Sequence, residues 1–320
     1  MDIDLVYLWV DGSDPAWVAR KNACLPPDRQ VDPQSAGACR YAENDELRYS
    51  LRSVERYAPW IRRVYIVTDG QCPAWLDTSN PRVRVVDHRE ILPSEVLPLF
   101  NSCAIEMALH RIPGLAEHFL YANDDTFFGA PVTPDFFFDG EGRPIVRLKK
   151  QSIRRHLDEI YPYTLHRTQQ LVRERLGRSF HLAPHHNIDA MRKSDYAACL
   201  ELFGEEAART MRSRFRSRDD LQRSVLLYYA LALGHARLRR VSRFNGVSTP
   251  GQWLAACCGV GCRSDSRCIA VTTPDVAHEL AKYRPKLFCL NDGEGTTDED
   301  RLRVHRLLEQ LFPEKSSFER

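Results

Sequence analysis

Long apolar runs are missing from this chain. None approaches the ~20 residues that a membrane-spanning helix requires, so the sequence predicts no membrane span. An excess of either charge is missing too, since 45 Lys and Arg against 43 Asp and Glu leave a formal net charge of +2. That balance argues against a dedicated nucleic-acid binder or a polybasic membrane binder. Lysine is scarce, so arginine carries nearly all the positive charge. The guanidinium fork suits phosphate oxygens, although a GC-rich genome accounts for most of these arginines. The opening Met1-Asp2-Ile3-Asp4-Leu5 has no basic stretch ahead of an apolar one, so no secretory leader is read there and a cytoplasmic location is expected. In a reducing compartment the 10 cysteines are expected as thiols or metal ligands rather than disulfides.

What is present is a globular composition: 43% hydrophobic, 28% charged and rich in aromatic residues. With 320 residues the chain can build one large core or two modest ones. Ile3 to Val10, Val64 to Val67, Val83 to Val86 and Phe119 to Ala122 are short apolar runs that suit buried strands. Between them lie helical patterns: Leu47, Leu51 and Val54 behind a cap at Asn44 or Asp45, and Ser102 to Ile112. Strands alternating with helices predict an α/β fold with a mostly parallel, helix-flanked sheet and a more helical C-terminal part. Asp219 to Leu233 reads as a helix stopped by Gly234. Gly246 to Pro274 reads as loop, and Thr297 caps a last helix that Pro313 ends.

The residues that follow the strand candidates share a chemistry. Val10 leads into Asp11-Gly12, Val67 into Thr68-Asp69-Gly70, Val86 into Asp87-His88, and Ala122 into Asn123-Asp124-Asp125. One Asp after a strand is usually a turn residue. Four at the carboxyl ends of one parallel sheet mark the edge where open α/β sheets bind ligands. Asp124 and Asp125 can hold a hard divalent ion and, through it, a diphosphate, with a structural turn as the equal alternative. Glu106 is more often simply an exposed Glu. His181, His185 and His186 crowd one short segment, where neutral imidazoles serve as a base or as metal ligands, or merely face solvent. Arg212, Arg214, Arg216 and Arg218 alternate before a helix start; one or two suit phosphate, and the rest form a solvated run. Cys257, Cys258, Cys262 and Cys268 suffice in number for a structural Zn²⁺, but their spacing is not a standard zinc pattern and free thiols weigh more.

Longer strings carry a resemblance. Ile3-Asp4-Leu5-Val6-Tyr7-Leu8-Trp9-Val10-Asp11-Gly12-Ser13-Asp14 resembles the first block of the Stealth phosphotransferases. Glu46 to Ser53, Tyr65 to Gln71, Pro98 to Ile112 and Tyr121 to Asp125 resemble the second, and Lys286 to Asp292 with the Ser317-Phe318-Glu319 ending resembles the fourth. The family includes bacterial capsule hexose-1-phosphate transferases and the catalytic subunit of the lysosomal-enzyme N-acetylglucosamine-1-phosphotransferase. The third block departs from the family's His-x-Pro, because His181 is followed by Leu182-Ala183-Pro184-His185. Some members also carry His where this chain has Cys103.

The resemblance implies a Rossmann-like core similar to that of GT-A glycosyltransferases, and transfer of a sugar-1-phosphate from a UDP-sugar to a glycan hydroxyl with release of UMP. N-acetylhexosamine is the usual sugar, UDP-GlcNAc the usual donor, a capsule-type glycan the default acceptor, and Mg²⁺ or Mn²⁺ the cofactor; no nucleic acid is involved. It implies Asp124 and Asp125 as metal ligands, Arg216 (or Arg218) on the transferred phosphate, and His181 as the catalytic imidazole with His185 as its alternative. It also implies Glu106 in the active site, Trp9, Asp11, Gly12 and Asn123 under the nucleotide, Arg48 toward the phosphates, and Asn291 and Asp292 closing the pocket. The matching organisation is a nucleotide-sugar core over 1–139, a His/Arg-rich insertion over 140–279 and a returning segment over 280–320. An ordinary glycosyltransferase releasing UDP, or a non-catalytic nucleotide-sugar-binding module, are the alternatives.

Overall fold

The computed structural model describes residues 1–26, 37–151, 156–242, 249–258 and 264–320. Its strands in chain order are β1 (Ile3–Leu8), β2 (Val64–Thr68), β3 (Val83–Asp87), β4 (His118–Asn123), β5 (Thr126–Phe128), β6 (Ile145–Lys150), β7 (Leu182–Pro184), β8 (Asp189–Arg192), β9 (Arg237–Val241), β10 (Ser264–Ala270) and β11 (Pro285–Asn291). Its α-helices are α1 (Pro15–Ala23), α2 (Glu46–Tyr57), α3 (His88–Ile91), α4 (Ser102–Glu106), α5 (Ile160–Leu176), α6 (Lys193–Leu202), α7 (Gly204–Met211), α8 (Ser224–Ala232), α9 (Pro250–Cys258), α10 (Val276–Tyr283) and α11 (Asp298–Leu311). No helix among the described residues is long and apolar enough to cross a membrane.

The central sheet has the order β3-β2-β1-β4-β8. The first four strands are mutually parallel, and β8 pairs antiparallel to β4. β2 is buried along its whole length and β1 along nearly all of it, which is why they read as unbroken apolar runs. The chain steps from β1 outward to β2 and β3, then returns to β4 on the other side of β1. The strand order therefore reverses between β1 and β4, and the carboxyl ends of the strands at such a reversal are where open α/β sheets bind ligands. This is the α/β arrangement that the alternation of elements predicts, with the Rossmann-like core that the resemblance implies.

Local chemistry explains where the elements differ from expectation. α2 buries Leu47, Leu51 and Val54, but neither Asn44 nor Asp45 caps it by side chain. Asp45 is left-handed at φ 62°, and the Glu46 carboxylate accepts from the Asn44 backbone N–H at 2.7 Å instead. The helix expected over Ser102 to Ile112 stops at Glu106 and resumes as a single 3₁₀ turn at Leu109–Arg111. α8 begins five residues later than expected because Asp220 takes the Ser217 N–H (2.9 Å) and Asn101 Nδ2 (2.8 Å), which holds 217–220 as a turn. The stretch expected as loop contains α9 and β10. β10 was hidden because its buried residues are polar: Asp265 pairs with Arg147 at 2.9 Å and with Arg239 at 3.2 Å. Thr297 does cap α11, through a capping box with Asp300.

Two ion clusters tie distant segments to the sheet. Arg223, at the start of α8, lies buried with its guanidinium 3.1 Å from Asp189 on β8 and 3.9 Å from Glu106 on α4. It also stacks over the Tyr121 ring of β4 at 4.3 Å, and the Tyr121 hydroxyl donates to Glu106 at 2.8 Å. At the far end of the chain, Glu319 accepts from Arg48 and Arg52 at 2.7 Å each. That pairing, the buried Phe318 and the antiparallel β11–β5 ladder bring residues 280–320 back against α2. Arg48 is thus held by Glu319, a partner the sequence reading did not give it.

Removing either cluster has a measurable cost. Arg223→Ala leaves two buried carboxylates unpaired and should lower the unfolding free energy by about 3–5 kcal/mol, read from urea denaturation. Replacing Arg223, Glu106 and Asp189 together by Met, Gln and Asn should recover part of that loss. For Glu319, burial pushes the carboxyl up, but hydrogen bonds from Arg52, the Ser316 N–H and Arg48 outweigh it and pull it down to about 2. The unfolded value is about 4.3, so this stabilisation is complete above that pH and is lost as pH falls toward about 2. The stability gap between wild type and Glu319→Gln should accordingly close across that window.

Candidate active site

The crevice at the β1/β4 edge is built by two tight turns. After β1, Trp9 and Val10 lead to Asp11, whose carboxylate accepts from the Ser13 N–H (2.8 Å) and hydroxyl (2.6 Å) and whose own N–H donates to Gln71 (3.0 Å). Gly12 N–H donates to Tyr41 O at 2.9 Å. A Cβ at Gly12 would stand 2.1 Å from that oxygen, so no larger residue fits. After β4, Asn123-Asp124-Asp125 reverse the chain into β5, with the Thr126 hydroxyl donating to Asn123 O at 2.6 Å. Of the other two strand ends, Asp69 pairs with Arg20 and Asp87 caps α3, so both serve structure.

One wall of the crevice is acidic. Burial, together with Asp125, Glu46 and Glu43, drives the Asp124 carboxyl well above its ordinary value. Burial pushes Asp125 up to about 7 against a hydrogen bond from the Cys289 thiol, with Glu46 and Asp292 adding to the rise. Glu43 is likewise raised to about 7, chiefly by burial. Carboxylates so close together and so poorly hydrated resist ionising unless a cation joins them. Asp125 Oδ1 is buried without a hydrogen-bond partner. The residues present therefore fit a divalent ion.

Basic side chains gather near the same place. Arg216 donates to the Ser102 hydroxyl at 2.5 Å, at the first residue of α4. His186 belongs to both neighbourhoods. Burial pushes its imidazole down to about 4, and Arg223, Lys149, Arg216 and Arg40 add to the effect, so it is neutral at pH 7. Ligand atoms of Asp125, His186 and Cys289 all lie within 4.8 Å of one another. His185 is buried, with Nδ1 2.7 Å from the Ser266 hydroxyl. Burial, then Lys149 and neighbouring cationic groups, push it down to about 3.

The structure gathers some of the sequence candidates and disperses others. Trp9, Asn123, Asp124, Asp125, Asn291 and Asp292 come from the strand ends β1, β4 and β11. Asn123 accepts from the Tyr121 hydroxyl at 3.0 Å, and Asp292 pairs with Arg301 at 2.9 Å. Glu106 is reached through Tyr121 and Arg223. His181 stands exposed ahead of β7, outside the Asp125 group, because β7 carries the chain inward only after it. Arg218 donates to Leu157 O at 2.7 Å and stacks on Tyr163, so it fixes a loop. Cys257 and Cys258 are exposed at the end of α9, Cys268 faces Cys289 in the β10–β11 register, and Cys262 lies outside the described residues. Among the described residues the one group of three or more metal-ligating side chains is the Asp125 group; the four cysteines weighed for zinc are not all among them. Sequence reasoning gave Cys289 and Arg223 no role. Cys289 sits two residues before Asn291 in the string that resembles the fourth block, a signal that was there to be used.

Family models for Stealth protein conserved regions 1, 2 and 4 match residues 1–26, 40–146 and 278–320. An exopolysaccharide phosphotransferase of Streptomyces coelicolor is 38% identical over 99% of this chain and 52% of its own length. The chain spans about half the length of several such curated relatives. A capsular polysaccharide phosphotransferase of Aeromonas hydrophila is 33% identical over 98% of this chain and 84% of its own length. Among solved structures, the galactosyltransferase LgtC superposes with a TM-score of 0.46 at 13% identity, covering 98% of this chain and 96% of that one. With three family regions matched in their expected order and a relative aligned along most of its length, the chain belongs to the Stealth family.

Proposed function

We propose that the chain transfers a sugar-1-phosphate, with N-acetylhexosamine as the sugar, from a UDP-sugar to a hydroxyl of a capsule-type glycan and releases UMP. The observation that carries this reading is His186, which stands beside Asp125 and within the electrostatic reach of Arg216, so that carboxylates and a guanidinium share one neighbourhood. A diphosphate needs both: a cation site for its oxygens and a guanidinium for the charge that develops on the phosphoryl group. The phosphotransferase names of the relatives point the same way. The reaction belongs in the cytoplasm, where UDP-sugars are made. Residues 1–139 would bind the nucleotide-sugar, 140–279 would supply Arg216 and the histidines, and 280–320 would close the crevice.

The acceptor oxygen attacks the phosphorus that bears the sugar, and the bond from that phosphorus to the bridging oxygen breaks, so UMP leaves with the oxygen. Asp125, with Asp124, would hold a divalent ion, which supplies charge neutralisation for the diphosphate when bound. Arg216 would neutralise the transferred phosphoryl oxygens. His185 would accept the acceptor proton at Nε2, with Nδ1–H fixed on Ser266; burial first, and then cations such as Lys149 and Arg147, hold its pKa down, and an anionic donor beside those cations would offset the second cause. The proton leaves late in a loose transition state, so positioning counts for more than basicity.

Incubation with UDP-sugars, a divalent ion and glycan acceptors should give acceptor-dependent UMP; acceptor-dependent UDP would make the protein an ordinary glycosyltransferase. Arg216→Ala should lower kcat by about 10²–10³-fold while leaving the unfolding midpoint near that of wild type. His185→Ala should cost about 10²-fold or more, whereas the exposed His181→Ala should retain near-normal turnover. A large loss in His181→Ala alone would return the base role to that residue.

A further inference from the structure

We propose that Cys268 and Cys289 form a reversible oxidation site, a thiol pair that hydrogen peroxide closes to a disulfide and that slows turnover when closed. The site itself stands apart from the reaction proposed above; only its effect on turnover rests on that reading.

The two cysteines stand directly opposite each other on the parallel strands β10 and β11, within a ladder that runs from Ser264 and Pro285 to Ala270 and Asn291. Neighbouring strands lie about 4.8 Å apart, inside the ~4.4–6.8 Å that separates the Cα atoms of a disulfide. Opposed side chains leave a sheet on the same face, and the two thiols are hydrogen-bonded to each other. Their exposures differ: Cys268 is open to solvent and Cys289 is buried. Lys149 and Arg267 act electrostatically on Cys268, and cations beside a solvent-reached thiol favour the thiolate that oxidants meet. Cys268 also shares a face of β10 with Ser266, whose hydroxyl stands 2.7 Å from His185 Nδ1. The exposed thiol therefore opens beside the candidate site. A disulfide holds its Cβ atoms about 3.8 Å apart, closer than strand spacing sets them. Such a bond draws the strands together and is readily reduced again, as a switch requires and a structural bridge does not.

The chemistry runs in two steps. The Cys268 thiolate attacks one peroxide oxygen and the O–O bond breaks, giving a sulfenic acid and a hydroxide that takes up the proton the thiol lost. The Cys289 sulfur then attacks the Cys268 sulfur: the S–S bond forms, the S–O bond breaks, and water leaves with the Cys289 proton. The two thiols have given up two electrons and one peroxide has gained them. The consequence falls on Asp125. Cys289 Sγ donates to Asp125 Oδ2 at 3.2 Å, and a disulfide sulfur has no proton to donate. Asp125 Oδ1 is already buried without a partner, so oxidation removes a hydrogen bond from a carboxylate that is short of them and that the proposed reaction uses.

The test exposes the reduced full chain to a modest excess of hydrogen peroxide, alkylates the remaining thiols and maps the tryptic peptides. Residues 268–282 and 287–301 form two such peptides with one cysteine each. They should appear joined, at a mass two hydrogens below their sum, and dithiothreitol should separate them. Cys268→Ser, checked for folding by circular dichroism, should show no joined pair. UMP formation should fall in proportion to the joined fraction and return with dithiothreitol, while Cys268→Ser keeps its turnover through the same treatment. Cys268 joined instead to Cys257, Cys258 or Cys262 would overturn the site. So would Cys268 carried to sulfinic acid with Cys289 still a free thiol, or no oxidation of either residue. A joined pair with undiminished UMP formation would overturn the slowing of turnover. A protein that makes no UMP even when reduced would sink the proposed reaction, and the peptide map would still decide the oxidation site.

Discussion

A buried guanidinium holds the two halves of this site together. Arg223 lies out of water between Asp189 and Glu106, over the face of Tyr121. Desolvating three ionised groups is costly, and only their mutual attraction offsets it. Burial pushes the Asp189 carboxyl up to about 6 even with Arg223 pulling it down. The arrangement is therefore unforgiving: β8, α4 and α8 must arrive together or a charge is stranded. Because β8 directly follows the histidine segment, the same contact that docks it on β4 brings His185 and His186 to the crevice.

From that constraint follows the polarity of the site. The parallel strands end on carboxylates because the reversal of strand order between β1 and β4 leaves a gap there, and the turns that leave those strands favour Asp and Asn. The middle segment, fixed by Arg223, brings Arg216 into the electrostatic reach of His186. A site that gathers carboxylates and guanidinium groups suits a ligand that carries both a cation and phosphate oxygens. Gly12 belongs to the same logic, since only a residue without Cβ lets the β1 turn close on Tyr41.

The C-terminal residues complete the wall from behind. Glu319 joins Arg48 and Arg52, Phe318 is buried, and β11 pairs with β5 immediately after the Asp125 turn. Asp125 O accepts from Leu290 N–H at 3.0 Å, so the register that seats Cys289 against the Asp125 carboxylate is set by backbone pairing. Arg48 takes part in this closure through Glu319.

The sequence by itself determined the parallel core, because strands buried on both faces must be continuous apolar runs. It also determined the acidic edge, because the polar residues that leave such strands sit next to them in the chain. Asp124, Asp125 and Trp9 were legible for that reason. Residue order could not distinguish Arg216 from Arg218, nor His185 from His181, since neighbours two to four positions apart have similar local chemistry and differ only in what they meet after folding. Arg223 and Cys289 lay deeper still. Each gains its role from partners 34 to 164 residues away, and burial of charge and thiol is a property of packing, which only the tertiary structure decides.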